Sequence, residues 1–63
     1  MNYQLLTYEE AREILGVKSK KTFYRLVNEG VIPVTRIPGL HPKVRRDLLD
    51  QMIEENTTNP LEV

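Results

Sequence analysis

Apolar residues fall into two short helical stripes, a β-favouring stretch and a third helical stripe, separated by turn-forming residues. Thr7 with Glu10 three residues on has the form of a capping box, and Ala11, Ile14 and Leu15 follow at i, i+3, i+4 before Gly16. This predicts a first helix over about Tyr8 to Leu15. Ser19 is a second N-cap candidate, and Phe23, Leu26 and Val27 repeat the spacing up to Gly30. The connection is short enough to force a steep crossing, which is helix-turn-helix geometry, with Val17 plugging the angle. Beyond Gly30 come Val31, Ile32, Val34, Thr35 and Ile37, a Pro38-Gly39 turn and a return segment from Leu40 to Val44. They predict a two-stranded hairpin, or wing, whose return strand is kept short and at an edge by Pro42. Asp47 is the cap candidate of a third helix bearing Leu49, Met52 and Ile53 on one face. The expected fold is mainly α with a small β-hairpin wing, a winged helix-turn-helix of three short helices. It occupies residues 1–55, and residues 56–63 form a disordered C-terminal tail.

Length makes this core small. With 63 residues there is room for one domain, and such a chain buries only about 60% of the surface its unfolded form exposes. No cysteine supplies a disulfide or thiolate site, which fits a reducing compartment. No apolar run approaches the roughly 20 residues of a membrane span, and the N-terminus lacks a signal-peptide layout, so a soluble cytoplasmic protein is expected.

Charge changes the picture only through its distribution. The net charge is zero, which gives a polyanionic partner nothing. Between Lys18 and Arg46, however, eight basic residues face one acid, Glu29, for +7, while the rest of the chain has Arg12 against eight acids, for −7. A basic middle between acidic ends describes either one polyanion-facing side or simply solvated helix faces.

On the second helix, turning Phe23, Leu26 and Val27 inward leaves Lys20, Lys21, Tyr24, Arg25 and Asn28 outward, with Thr22 at the margin. Two lysines at the positive end of the macrodipole cost the helix up to about 1 kcal/mol each. A phosphate placed there would reverse the sign, since ammonium groups, backbone N–H groups at the Ser19 cap and the dipole would converge on it. Arg25 and Asn28 share a face and are suited to two-pronged contacts with guanine and adenine edges. Equally, Arg25 could pair with Glu29, and Asn28 could merely sit in the last turn. Tyr24 either touches the DNA backbone or covers the edge of the core.

The hairpin would gather Arg36, Lys43, Arg45 and Arg46 onto a basic projection suited to backbone or minor-groove contact, although Arg45 and Arg46 could instead decorate the entry to the third helix. His41, the lone histidine, has no partner set for a metal and is expected to be exposed or to touch phosphate. The adjacent pairs Glu9-Glu10 and Glu54-Glu55 point to different faces, and no glycine-rich phosphate loop is present. Neither enzymatic activity nor a cofactor is expected.

The runs "LLTYEEAREILGV", "TFYRLVNEGVIPVTRI" and "KVRRDLLDQMI" resemble the excisionase-like branch of the MerR-type winged helix-turn-helix proteins. Leu6, Thr7, Glu10, Ala11, Leu15, Gly16, Val17, Thr22, Tyr24, Arg25, Leu26, Gly30, Ile32 and Pro33 carry the likeness, which covers roughly Leu5 to Glu55. The resemblance implies a DNA-binding module with the second helix in the major groove and the wing on the flanking minor groove. It implies reading residues Lys20, Lys21, Thr22, Tyr24 and Arg25 and wing contacts Arg36, His41 and Lys43. Within the family such small proteins act as recombination directionality factors (excisionases) of phages and mobile elements, as transcriptional regulators of phages and plasmids, or as related packaging proteins, and the resemblance implies one of these roles. The turn "KSKK" is one residue longer than the usual version, Arg12 stands where a second small residue is common, and Pro38 replaces a frequent wing glycine. The expected partners are double-stranded DNA and, on it, an integrase or further copies of the chain, with a monomer in solution and no membrane partner. The rival expectation is a protein-interaction module, such as an antirepressor using the Tyr24 face.

Overall fold

The computed structural model describes residues 3–58. In chain order it has strand β1 (Leu5–Leu6), helix α1 (Tyr8–Leu15), helix α2 (Lys20–Asn28), strand β2 (Val44–Arg45) and helix α3 (Arg46–Glu55). Three short helices and a two-stranded antiparallel sheet make this the small, mainly helical winged helix-turn-helix anticipated from the pattern.

Local chemistry sets the helix ends. At α1 both halves of the capping box form: the Glu10 amide donates to Thr7 Oγ1 at 3.1 Å, and the Thr7 amide donates to Glu10 Oε1 at 2.9 Å. Accepting that backbone bond holds the Glu10 carboxyl below its ordinary pKa. Gly16 then closes the helix in the left-handed region, φ 72°, where a side chain would be strained. The α2 N-cap is Ser19, whose Oγ accepts from the Thr22 amide at 3.2 Å.

Thr7→Ala removes one half of the box and is expected to cost about 1 kcal/mol. In a domain of this size that is roughly 4–8 °C in Tm. Because the Glu10 pKa is depressed, its share of stability is present above the ordinary glutamate value and is lost as pH falls below that value and through the lowered one. Glu10→Gln, which removes the titrating carboxyl while keeping an acceptor for the Thr7 amide, should therefore flatten the acid limb of a thermal-stability-versus-pH profile measured by circular dichroism, whereas Thr7→Ala, which keeps that amide, should retain most of it.

The core is Leu6, Ala11, Phe23, Ile32, Val44 and Leu49, with Tyr8, Leu15, Val17, Leu26, Val27, Met52 and Ile53 packed around it. One residue of the α1 stripe departs from expectation, since Ile14 is exposed. The buried face of α1 is instead Tyr8, Ala11 and Leu15, at i, i+3, i+7, and it leaves Ile14 on the rim.

Two further expectations are corrected. Asp47 does not cap α3: the N-cap is Arg45, with no side-chain cap bond, and Asp47 sits in the first turn. The strand runs straight into the helix there, and the Arg46 amide, an otherwise unsatisfied helix-start donor, is taken by the Gln4 carbonyl at 2.9 Å. The wing hairpin is also narrower than the run of β-favouring residues suggests. It consists of one bridge, in which Thr35 and Lys43 exchange backbone bonds of 2.7 and 2.9 Å. The next hydrogen-bonded pair would be Pro33 opposite Arg45, and Pro33 has no N–H to give. Instead β2 pairs with β1, Leu5 opposite Arg45 and Leu6 opposite Val44, tying the N-terminal segment to the start of α3. Of the proposed tail, Asn56 and Thr57 finish α3, with Asn56 Nδ2 donating to the Met52 carbonyl at 2.8 Å and Thr57 Oγ1 to the Ile53 carbonyl at 2.6 Å. Residues 59–63 of that tail lie outside the described residues. Among the described residues no helix is long and apolar enough to cross a membrane.

Candidate nucleic-acid interface

The outward face of α2 and the wing line one concave surface of about 580 Å³. Lys20, Tyr24 and Asn28, one above another at i, i+4, i+8, form its helical wall, while Arg36, His41, Pro42 and Lys43 form the wall on the wing side. Helix α1 and its cap close the third side, with Thr7, Tyr8 and Glu9 from the start of the helix and Arg12 from its last turn. Four cationic side chains thus face one carboxylate, that of Glu9. On the outer side of α2, Lys21 and Arg25 are exposed and share a stripe, and Thr22 is half-buried beside its bond to Ser19.

The cations of this surface are not committed to carboxylates. Among the described residues the ion pairs are Arg45 with Asp47 and Arg46 with Asp50. Arg25 and Glu29 make none, so the guanidinium of Arg25 is available in a way the sequence left open. Nor does the first turn of α2 contain an acid, whereas α1 has Glu9 and Glu10 there and α3 has Asp47. The uncompensated positive end of the one helix that carries Lys20 and Lys21 adds to the potential of the groove.

Arg45 is placed apart from the groove. Its Nε donates to Asp47 Oδ1 at 3.0 Å, and its guanidinium lies 3.8 Å from the centroid of the Tyr3 ring. The pair lowers the Asp47 pKa and raises that of Arg45, chiefly through the bond between them. Arg12 has a different task, donating from Nη1 to the Lys18 carbonyl at 3.0 Å. That bond fastens α1 to the turn, which gives a physical role to an arginine standing where a small residue is common.

Tyr8 was not singled out by sequence reasoning. Its ring lies 4.9 Å from that of Phe23 and 5.6 Å from that of Tyr24, in tilted and edge-on arrangements. Tyr24 therefore both leans on the core and stays half exposed, with its hydroxyl-bearing ring in the helical wall of the groove. The available signal was the i, i+3, i+7 spacing of Tyr8, Ala11 and Leu15.

A family model described as a helix-turn-helix domain matches residues 5–57. The chain belongs to the helix-turn-helix domain family. The match spans α1, the four-residue turn, α2, the wing and α3, so the groove is built wholly from helix-turn-helix elements of a DNA-binding family. No curated protein and no solved structure matches the chain. Among the described residues of this helix-turn-helix domain, no group of three or more histidine, cysteine or acidic side chains could hold a metal ion.

Proposed function

We propose that this helix-turn-helix chain binds double-stranded DNA with sequence preference, α2 entering the major groove and the wing lying on the flanking minor groove. The observation that carries the reading is the shared groove, lined by Lys20, Tyr24 and Asn28 from the helix and by Arg36, His41 and Lys43 from the wing, whose cations are in no ion pair among the described residues. Lys20 and Lys21, at the uncompensated positive end of α2 that Ser19 caps and beside Thr22, anchor a phosphate at the helix start. Arg25 and Asn28 read base edges, Tyr24 contacts the backbone, and Arg36, His41 and Lys43 straddle the minor groove. Arg45 and Arg46 have their charge balanced by Asp47 and Asp50, and they contribute little to phosphate binding in this arrangement.

The biological role proposed is that of a small MerR-like regulator or excisionase-type factor. A domain of this size offers few base contacts, so useful affinity comes from neighbouring copies or from an integrase bound alongside. Titration of duplex DNA at several salt concentrations tests the binding. With about five phosphates contacted, log K should fall with log salt at a slope near −4 to −5. Absence of binding at low salt removes the DNA reading.

A further inference from the structure

The wing ends in an apolar tip that the fold itself does not use. Ile37, Pro38, Gly39 and Leu40 form a turn closed by the Leu40 amide, which donates to the Ile37 carbonyl at 3.0 Å, with Gly39 at φ 87°. Proline at the second position and a positive-φ glycine at the third are the requirements of a type II turn, so the tip is stiff. Leu40 is 60% exposed, more than any other large hydrophobic side chain described, and Ile37 is 37% exposed. Turns are ordinarily polar, since an apolar side chain held in water gains nothing for the fold. The tip is bracketed by charge and polarity: Arg36 precedes it, His41 follows it, and Lys43 sits across the bridge from Thr35, all three of them lining the groove.

We propose that this tip is a wedge, with Leu40 backed by Ile37 entering the minor groove and partly unstacking one base step, so that the duplex kinks beside the site contacted by α2. The inference rests on the DNA-binding reading above and deepens it. Three features select DNA as the occupant. The tip continues directly from the groove that faces the duplex. Cations on either side of an apolar point match the two phosphate strands that border a minor groove, and apolar side chains inserted there are a known means of bending DNA. The minor groove, about 6 Å wide, admits a two-residue turn and excludes a helix.

A duplex enriched by the protein from a randomised pool, carrying 2-aminopurine at successive steps on either flank of the site, provides the probe. Binding of the unaltered chain should raise fluorescence several-fold at one step, and end-to-end energy transfer on the same duplex should report a bend. Leu40→Ser, which alters only an exposed side chain and keeps the turn amide, should return both signals to the level of free DNA while the chain still binds. Leu40→Met should retain them. Binding without unstacking at any step, or an unchanged bend with Leu40→Ser, overturns the wedge alone. Failure to bind any duplex at low salt overturns the DNA reading and the wedge with it.

Discussion

Phe23→Ala should leave the chain largely unfolded at physiological temperature. Phe23 is 1% exposed, the largest fully buried side chain, and it stands on α2 with its ring against Tyr8 of α1 at 4.9 Å. Truncating a buried phenylalanine costs about 3–5 kcal/mol, the lost transfer energy being compounded by the cavity left behind. At roughly 0.05–0.15 kcal/mol per residue, a domain of 63 residues holds only about 3–9 kcal/mol in all. At the middle of both ranges, about 4 of about 6 kcal/mol, the substitution removes about two thirds of the stability. Thermal unfolding followed by circular dichroism should show Tm lowered by at least about 12 °C, or no cooperative transition at all. Phe23→Leu keeps most of the volume and should keep the transition. A Phe23→Ala protein melting within a few degrees of the parent would mean that the α1–α2 contact is not what holds the domain together.

The parts of the fold visible in the sequence are those governed by local chemistry. Thr7 and Ser19 cap α1 and α2, and Gly16 sits at positive φ at the end of α1, because capping and left-handed turns depend on residues within a few positions of one another. The strand pair β1–β2 was hidden for the opposite reason. It joins Leu5–Leu6 to Val44–Arg45 across most of the chain, and two residues are too few to show an alternating pattern. Its formation also decides the start of α3, because the Gln4 carbonyl takes the Arg46 amide and leaves Asp47 free to hold Arg45. The candidate site divides along the same line. The outward residues of α2 follow from helical periodicity, but that Arg36, His41 and Lys43 come round to face Lys20 and Asn28 depends on where the Thr35–Lys43 bridge forms. Pro33 bounds that bridge on one side by withholding a donor, a constraint legible only once the register is known.

The sharpest test of how the groove divides its work compares Lys20→Ala/Arg36→Ala/Lys43→Ala with Arg25→Ala. The three cations of the first variant stand on both walls of the groove and none is in an ion pair among the described residues, so removing them leaves no buried charge unpaired and spares the core. Backbone bonds made by Lys43 in the bridge survive substitution by alanine. If each contacts one phosphate, the salt slope should shrink by about 2.7, and at 0.1 M salt counterion release alone amounts to roughly tenfold per contact. A loss near 10³-fold, equal for all duplexes and fading as salt approaches 1 M, is the expected outcome by that arithmetic. Arg25→Ala should behave differently, because a guanidinium on a base edge contributes about 1–3 kcal/mol of discrimination at one position. Its salt slope should change little, while the preferred duplex loses its advantage over its single-site variants. An unchanged slope in the triple variant would place those cations off the phosphates, and a uniform loss from Arg25→Ala would place that side chain on the backbone instead of a base.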